Sequence, residues 1–367
     1  MNKLLFLIIA IVALSWSAPV SAVERDLIRV AIIRAADGVN LQGDGMLALR
    51  ETGTAVVLPP TVTVSAAHGQ IILDGNAYRR LRLTAAGPIK VNNKSYRGVL
   101  ELSTANGAVL VINELPLEEY LVGVINSEIS STWPMESVKA QAVIARTYAM
   151  AKRIERRAAP FHLEATVMDQ VYAGSDLEDS RAARGVHETA GQVLTHHGKP
   201  IQAFYHATCG GKTEDSAHVW GASLPYLQGV DCQYCALGNS NTWEQSLSLT
   251  RLESALKLSG LSDIRLGPRN SRGRLKTVLL STSRGLVTMP ATKFRMAVGS
   301  TVIKSTNFTV RVDGDSVFFS GSGYGHGVGL CQWGAKQRAL DGFSYSEILS
   351  YYYPGTELRI LAPDAGI

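Results

Sequence analysis

Asn106-Gly107 stands between two apolar runs, Val99–Ala105 and Ala108–Ile112, and reads as a two-residue hairpin turn. Asn and Gly tolerate the positive φ that a type I′ turn demands at both central positions, so the pair calls for an antiparallel ladder. The rest of Leu27–Ile112 reads the same way. Thr61-Val62-Thr63-Val64 and Arg80-Leu81-Arg82-Leu83 alternate polar and apolar residues, as half-buried strands do. Asp74-Gly75, Gly87-Pro88 and Asn92-Asn93 separate the runs as turns. The 34 glycines follow no collagen period and suit many short strands.

The pattern changes at Leu115. Leu117–Ser127 reads as a short helix, and Trp133-Pro134 opens a longer one running to about Arg156, with proline tolerated in its first turn. Ala140, Ala142, Ala145 and Ala149 keep that second helix small-sided. Thr250-Arg-Leu-Glu253 is read as a capping box whose helix stops at Gly260. Strands follow at Lys276–Ser281, Phe308–Val312 and Val317–Ser320, then a helix at Gln332–Leu340. Ser344-Tyr-Ser-Glu347 is a second capping box, its helix ended by Pro354-Gly355. Strands and helices do not alternate regularly. The expectation is an α+β fold: mostly antiparallel strands, a few packed helices and a β-rich N-terminal subdomain.

Composition narrows the class. Hydrophobic residues make up 46% of the 367 and charged residues 18%, enough for a real core and unlike a disordered chain. The length suggests about two domains. The reading divides the chain into residues 1–22, 23–112 and 113–360. Residues 1–22 look like an export signal: Asn2-Lys3, an apolar run from Leu4 to Leu14, and small residues at Val20-Ser21-Ala22. Beyond them no apolar run is long enough to span a bilayer, so the expectation is an exported protein of the periplasm or cell envelope, with no integral span after cleavage. A net charge of +5, evenly spread, gives no argument for nucleic acid.

Three segments can carry chemistry. Glu128 closes the first helix, where the dipole disfavours a negative side chain, among Val124, Ile125, Ile129 and Trp133. A carboxylic acid there has a raised pKa and keeps its proton near neutral pH, as a general acid must. An exposed glutamate in a helix connection has the same spacing. The second segment, Gly321-Ser-Gly-Tyr-Gly-His326-Gly-Val-Gly-Leu-Cys-Gln332-Trp-Gly-Ala335, frames one histidine in glycines. It lacks the ending of a phosphate loop. With Tyr324, Gln332 and Trp333 it reads as the wall of a sugar-binding cleft, and a tight turn before a helix remains the plain alternative. The third segment is His206-Ala-Thr-Cys209 with Cys232-Gln-Tyr-Cys235, a spacing that suits a closed tetrahedral zinc site of one nitrogen and three sulfurs. Disulfides and a redox Cys-x-x-Cys also fit it. A serine nucleophile has no Gly-x-Ser-x-Gly elbow to sit in.

At these residues the chain resembles the stage II sporulation protein D family, which includes amidase-enhancer proteins of bacterial cell walls. The resemblance rests on Leu115–Glu128, Trp133–Tyr148, Tyr205-His-Ala-Thr-Cys-Gly-Gly-Lys-Thr213 and Gly325-His-Gly-Val-Gly-Leu-Cys-Gln-Trp-Gly-Ala335, and covers about residues 112–355. It implies a lytic transglycosylase acting on peptidoglycan, with Glu128 as its single acid/base. Arg146, Tyr148, Tyr324, His326 and Gln332 are then candidates for holding sugar hydroxyls and acetamido groups; for Arg146 and Tyr148 a purely structural role is weighed equally. The resemblance also makes His206 and Cys209 zinc ligands; Cys232 and Cys235 are added on spacing, and the metal is expected to be structural. Many family members carry Ser where this chain has Cys331. A non-catalytic wall-binding activator of an N-acetylmuramoyl-L-alanine amidase is the alternative function. The implied partners are peptidoglycan glycan strands and a cell-wall amidase.

Overall fold

The strands Val99–Ala105 and Ala108–Pro116 pair antiparallel across Asn106 and Gly107, whose φ values of 52° and 80° are those the turn requires. This computed structural model describes residues 27–237 and 241–360. The expected export signal at 1–22 lies outside the described residues.

Strand Leu27–Ala36 lies along Ala108–Pro116 in a seven-stranded sheet, with the short strand Leu163–Glu164 outside it at the edge. A second sheet of six strands packs on it. Val39, Leu41, Val62, Val64, Ile71 and Leu73 of the second sheet share a core with Leu100, Leu102, Val109 and Val111 of the first. The alternation read from the sequence thus becomes the inner faces of a β-sandwich.

That core does not end with the strands. Leu117, Tyr120, Leu121, Val124 and Ile125 of helix Leu117–Glu128 enter it, as do Val138, Ala142, Ala145 and Ala149 of helix Met135–Glu155. The same long helix gives Ala140, Val143 and Ile144 to a second core, which holds Leu194, Ile201, Leu330, Ile348, Tyr352 and all four cysteines. The alanines explain how one helix serves both cores: without bulk, neighbours approach it from two sides.

A third core is built entirely from residues between Trp243 and Phe319, with Phe294, Phe308 and Phe319 at its centre. Two three-stranded antiparallel sheets and helices Leu249–Leu256 and Ala291–Val298 surround it. The chain leaves the cysteine region, builds this unit, and returns into the glycine-rich loop.

The architecture is α+β, with mostly antiparallel sheets. Parallel pairing occurs between Leu27–Ala36 and Leu163–Glu164, and between Tyr205–His206 and Leu330–Cys331. The capping box at Ser344 is present with both of its hydrogen bonds. The one expected at Thr250 is corrected: Ser248 caps the helix, accepting from the Arg251 N–H at 3.1 Å. Strand Thr242–Ser248 runs straight into this helix, so its last residue takes the cap. Glu253 accepts instead from the Leu261 N–H at 2.6 Å, and the helix ends at Lys257 in left-handed conformation rather than at Gly260.

Candidate active site

Pro116 ends a strand and starts helix Leu117–Glu128 without a break, so the sandwich aims the helix and the helix aims Glu128 at its far end. No basic residue occupies the last turn. The Val171 N–H donates to Glu128 Oε1 at 2.8 Å, and the Tyr205 hydroxyl and the Gln332 amide face this carboxyl and favour its charged form. Burial pushes the Glu128 carboxyl above the ordinary glutamate range, and these three groups offset only part of that. The side chain remains partly open to solvent. A reachable carboxyl whose pKa is raised is suited to general-acid chemistry.

These groups are themselves held. Gln170 Nε2 donates to the Tyr205 hydroxyl at 3.2 Å and to the Ala145 carbonyl at 3.3 Å, and Gln170 Oε1 accepts from Tyr120 at 3.2 Å. The loop carrying Gln170 and Val171 lies close on the Glu128 helix because Gly123 has no side chain. A Cβ there would come within 2.6 Å of the Gly174 carbonyl and 2.7 Å of the Tyr172 ring. Gln332 begins helix Gln332–Leu340, buried, with its Nε2 also 3.4 Å from Gln141 Oε1. The parallel pairing of Tyr205 with Leu330 brings the tyrosine and the Gln332 segment together. Beside them Trp133 and Trp333 pack with ring centroids 5.3 Å apart, under Lys336 Nζ at 5.0 and 4.5 Å.

His326 reaches the same group through the backbone. Its Nδ1 accepts from the Val328 N–H at 3.1 Å, and the ring faces the Tyr205 backbone. Phe204, His206 and Trp220 surround it. Burial, with Arg295 and Arg274 adding, lowers its pKa to about 3, so the imidazole is neutral at ordinary pH. Tyr324 bonds by its backbone to Thr208 and leaves its ring partly in solvent, with Lys304 Nζ 5.6 Å above it.

For Arg146 and Tyr148, whose sugar-binding and structural roles weigh equally in the sequence, the contacts are structural ones. Arg146 is buried, and its guanidinium donates to both Glu118 oxygens at 2.7 Å and to the carbonyls of Gln192 and Val186. Tyr148 is buried and donates to Asp169 Oδ1 at 2.9 Å. Both anchor the long helix, because their positions on it face the protein interior. Gln170, Val171 and Tyr205 stand around Glu128 and were not singled out by the sequence reading. Gln170 and Val171 sit in a loop without periodicity, and Tyr205 was visible only as the first letter of a block centred on cysteine.

The cysteines form a separate centre. The sulfurs of Cys209, Cys232, Cys235 and Cys331 all lie within 4.8 Å of one another, buried, and all four are free thiols. Cys209 and Cys235 sulfurs are 3.2 Å apart, well beyond the ~2.05 Å of a disulfide. The cluster differs from the expected ligand set in holding Cys331 and not His206. The Nδ1 of His206 lies 3.2 Å from the Val328 carbonyl and its ring packs on His326. Cys331 arrives because strand Leu330–Cys331 pairs with Tyr205–His206, a contact that spacing along the chain cannot reveal. Four clustered soft donors fit a tetrahedral zinc ion, whose thiolate sulfurs stand roughly 3.8 Å apart when each is ~2.3 Å from the metal.

Comparisons with known proteins agree with these blocks. Residues 105–196 match the family model SpoIID, stage II sporulation protein. An uncharacterized protein of Brachyspira hyodysenteriae is 33% identical over 274 residues, covering 73% of each chain. The amidase enhancer of Bacillus subtilis is 33% identical over 288 residues, covering 65% of this chain and 40% of its own. Stage II sporulation protein D of the same organism is 29% identical over 272 residues, covering 70% of this chain and 77% of its own. The chain belongs to the family of stage II sporulation protein D and the amidase enhancers.

Proposed function

We propose that the protein is a lytic transglycosylase that cleaves the MurNAc–GlcNAc β-1,4 bonds of peptidoglycan glycan strands. The observation that carries this reading is the Glu128 carboxyl, whose pKa burial raises while the Val171 N–H holds it in place beside Tyr205 and Gln332. Asp169, next to the Gln170-Val171 turn, is engaged by Arg156, Tyr148 and the Glu164 N–H, and so is not free to serve as a second catalytic group. One working carboxyl suits a transglycosylase better than an ordinary glycosidase, which needs two. Glu128 protonates the leaving glycosidic oxygen while the C6 hydroxyl of the same MurNAc attacks C1. The Glu128 carboxylate then accepts the C6 proton, leaving a 1,6-anhydro end. Tyr205 and Gln332 steady the carboxylate as it forms, and the Trp133–Trp333 pair offers apolar faces for sugar rings.

Export to the cell envelope belongs to this reading, since its substrate lies there. Among the described residues no helix is long and apolar enough to cross a membrane. A zinc ion on the four cysteines would have a structural role, because four thiolates close its coordination shell. A second reading has support from the similarity to an amidase enhancer: a wall-binding protein that activates a separate amidase. The test is incubation of the protein with purified glycan strands free of stem peptides, followed by mass spectrometry. Anhydro-terminated products from wild type and none from Glu128→Gln are expected. Intact glycan, bound but uncut by wild type, overturns the enzyme and favours the activator.

A further inference from the structure

Arg274 lies in the connection between strands Asp263–Leu266 and Thr277–Thr282, so it belongs to the stretch that builds the third core. Yet its guanidinium leaves that core for the cysteine centre. It is 3% exposed, and its Nη2 donates to the Cys209 carbonyl at 2.9 Å. Nη1 is buried with no partner. The nearest carboxylate is a poor match: Arg274 Nε is 3.8 Å from Glu214 Oε2. Glu214 is already occupied by the Asp215 N–H, His218 and Asn270, at 2.9, 2.8 and 2.8 Å. The glycine-rich loop closes over the cation, since a Cβ on Gly327 would come within 2.4 Å of Nη2. Cys209, Cys331 and Cys235 lie close enough to act on the guanidinium whenever they ionise, and the Arg295 cation and the His206 and His326 rings also face it.

A buried cation so loosely paired needs negative charge nearby. Four neutral thiols supply none. A zinc ion on four thiolates supplies it: four protons leave the cysteines, Zn²⁺ enters, and the centre carries a net charge of −2. We propose that Arg274 is the counter-cation of a zinc tetrathiolate formed by Cys209, Cys232, Cys235 and Cys331. The inference rests on the zinc reading above and adds a role for the third unit, which delivers the charge that lets four thiolates coexist in the interior. Arg274 is thus a positioning and charge-balancing residue. It acts through the metal centre and not on a substrate.

The test uses the full chain, with zinc content from mass spectrometry and zinc affinity from competition with a chromophoric chelator. Wild type is expected to hold one zinc. Arg274→Met is expected to bind it about 10–100-fold more weakly, as loss of an outer-shell partner does, and Arg274→Lys to recover part of that affinity. The double variant Glu214→Gln, Arg274→Met leaves no orphaned carboxylate and is expected to keep the full loss. Wild-type affinity in a folded Arg274→Met protein, or its return in the double variant, overturns the role of Arg274 while the zinc centre stands. A wild type that holds no zinc overturns both.

Discussion

The Tyr205 hydroxyl faces the Glu128 carboxyl while accepting from Gln170 Nε2 at 3.2 Å. This arrangement favours the charged form of a group whose pKa burial raises. Tyr205→Phe therefore raises the Glu128 pKa further, and the alkaline fall in activity moves to higher pH. Loss of one hydrogen bond is worth about 1 kcal/mol, so turnover is expected to drop several-fold. A pH profile of anhydro-product release checks both; an unshifted limb takes Tyr205 out of the site.

Glu128→Gln abolishes cleavage on the proposed mechanism and also changes stability with pH. The folded-state pKa of Glu128 is raised. Its protonated form is the one folding tolerates, so its contribution is complete below the ordinary glutamate value of about 4.3 and is lost as pH rises through the folded value. The amide carries no such loss. Thermal melts are expected to show the variant more stable than wild type at neutral pH and equal to it at about pH 4. A difference that does not change with pH counts against a buried, titrating carboxyl.

Arg146→Met tests the structural assignment of that residue. Its guanidinium is 1% exposed and holds Glu118 and two carbonyls. Because Glu118 is 42% exposed, water absorbs part of the loss. The expected destabilisation is about 2–4 kcal/mol by chemical denaturation. Glycan affinity stays at the wild-type value where the variant is folded; a selective loss of affinity returns Arg146 to the binding site.

Gly123→Ala inserts a Cβ into the 2.6 Å gap to the Gly174 carbonyl. The loop must move, and Val171 moves with it, away from Glu128. Overpacking of this kind costs about 1–3 kcal/mol. Activity is expected to fall more than stability alone explains, measured at a temperature where the variant remains folded. Full activity there means the Val171 N–H is dispensable.

His206→Ala and Cys331→Ser separate the two ligand sets. With four sulfurs as ligands, the first variant retains its zinc and the second loses most of it, and chelation lowers the melting temperature of wild type and of His206→Ala alike. Metal analysis of the two purified proteins decides: zinc lost from His206→Ala and kept by Cys331→Ser would restore the histidine as ligand.

Local signals made much of this protein legible in advance. The hairpin at Asn106-Gly107, the alternating strands before Ile112, the helix opening after Trp133-Pro134 and the box at Ser344 are governed by φ preferences, side-chain period and capping within a few residues. Glu128 was legible for the same reason, since a carboxylate at a helix end among apolar neighbours is a local anomaly. The Thr250 box was misread because the sequence offers two hydroxyl residues near that helix start, and the incoming strand decides which one caps it.

What the tertiary structure decided is which residues meet. Arg146 and Tyr148 follow closely on the Glu128 block yet turn inward, because the long helix lies between two cores. The parallel pairing of Tyr205–His206 with Leu330–Cys331 does two things that no spacing records. It sets Tyr205 and Gln332 on Glu128, and it replaces His206 with Cys331 among the clustered sulfurs. Sequence alone determined the elements and the chemically unusual side chains, because those depend on neighbours along the chain. Partnership across more than a hundred residues depends on how faces are buried, and that is fixed only when the cores close.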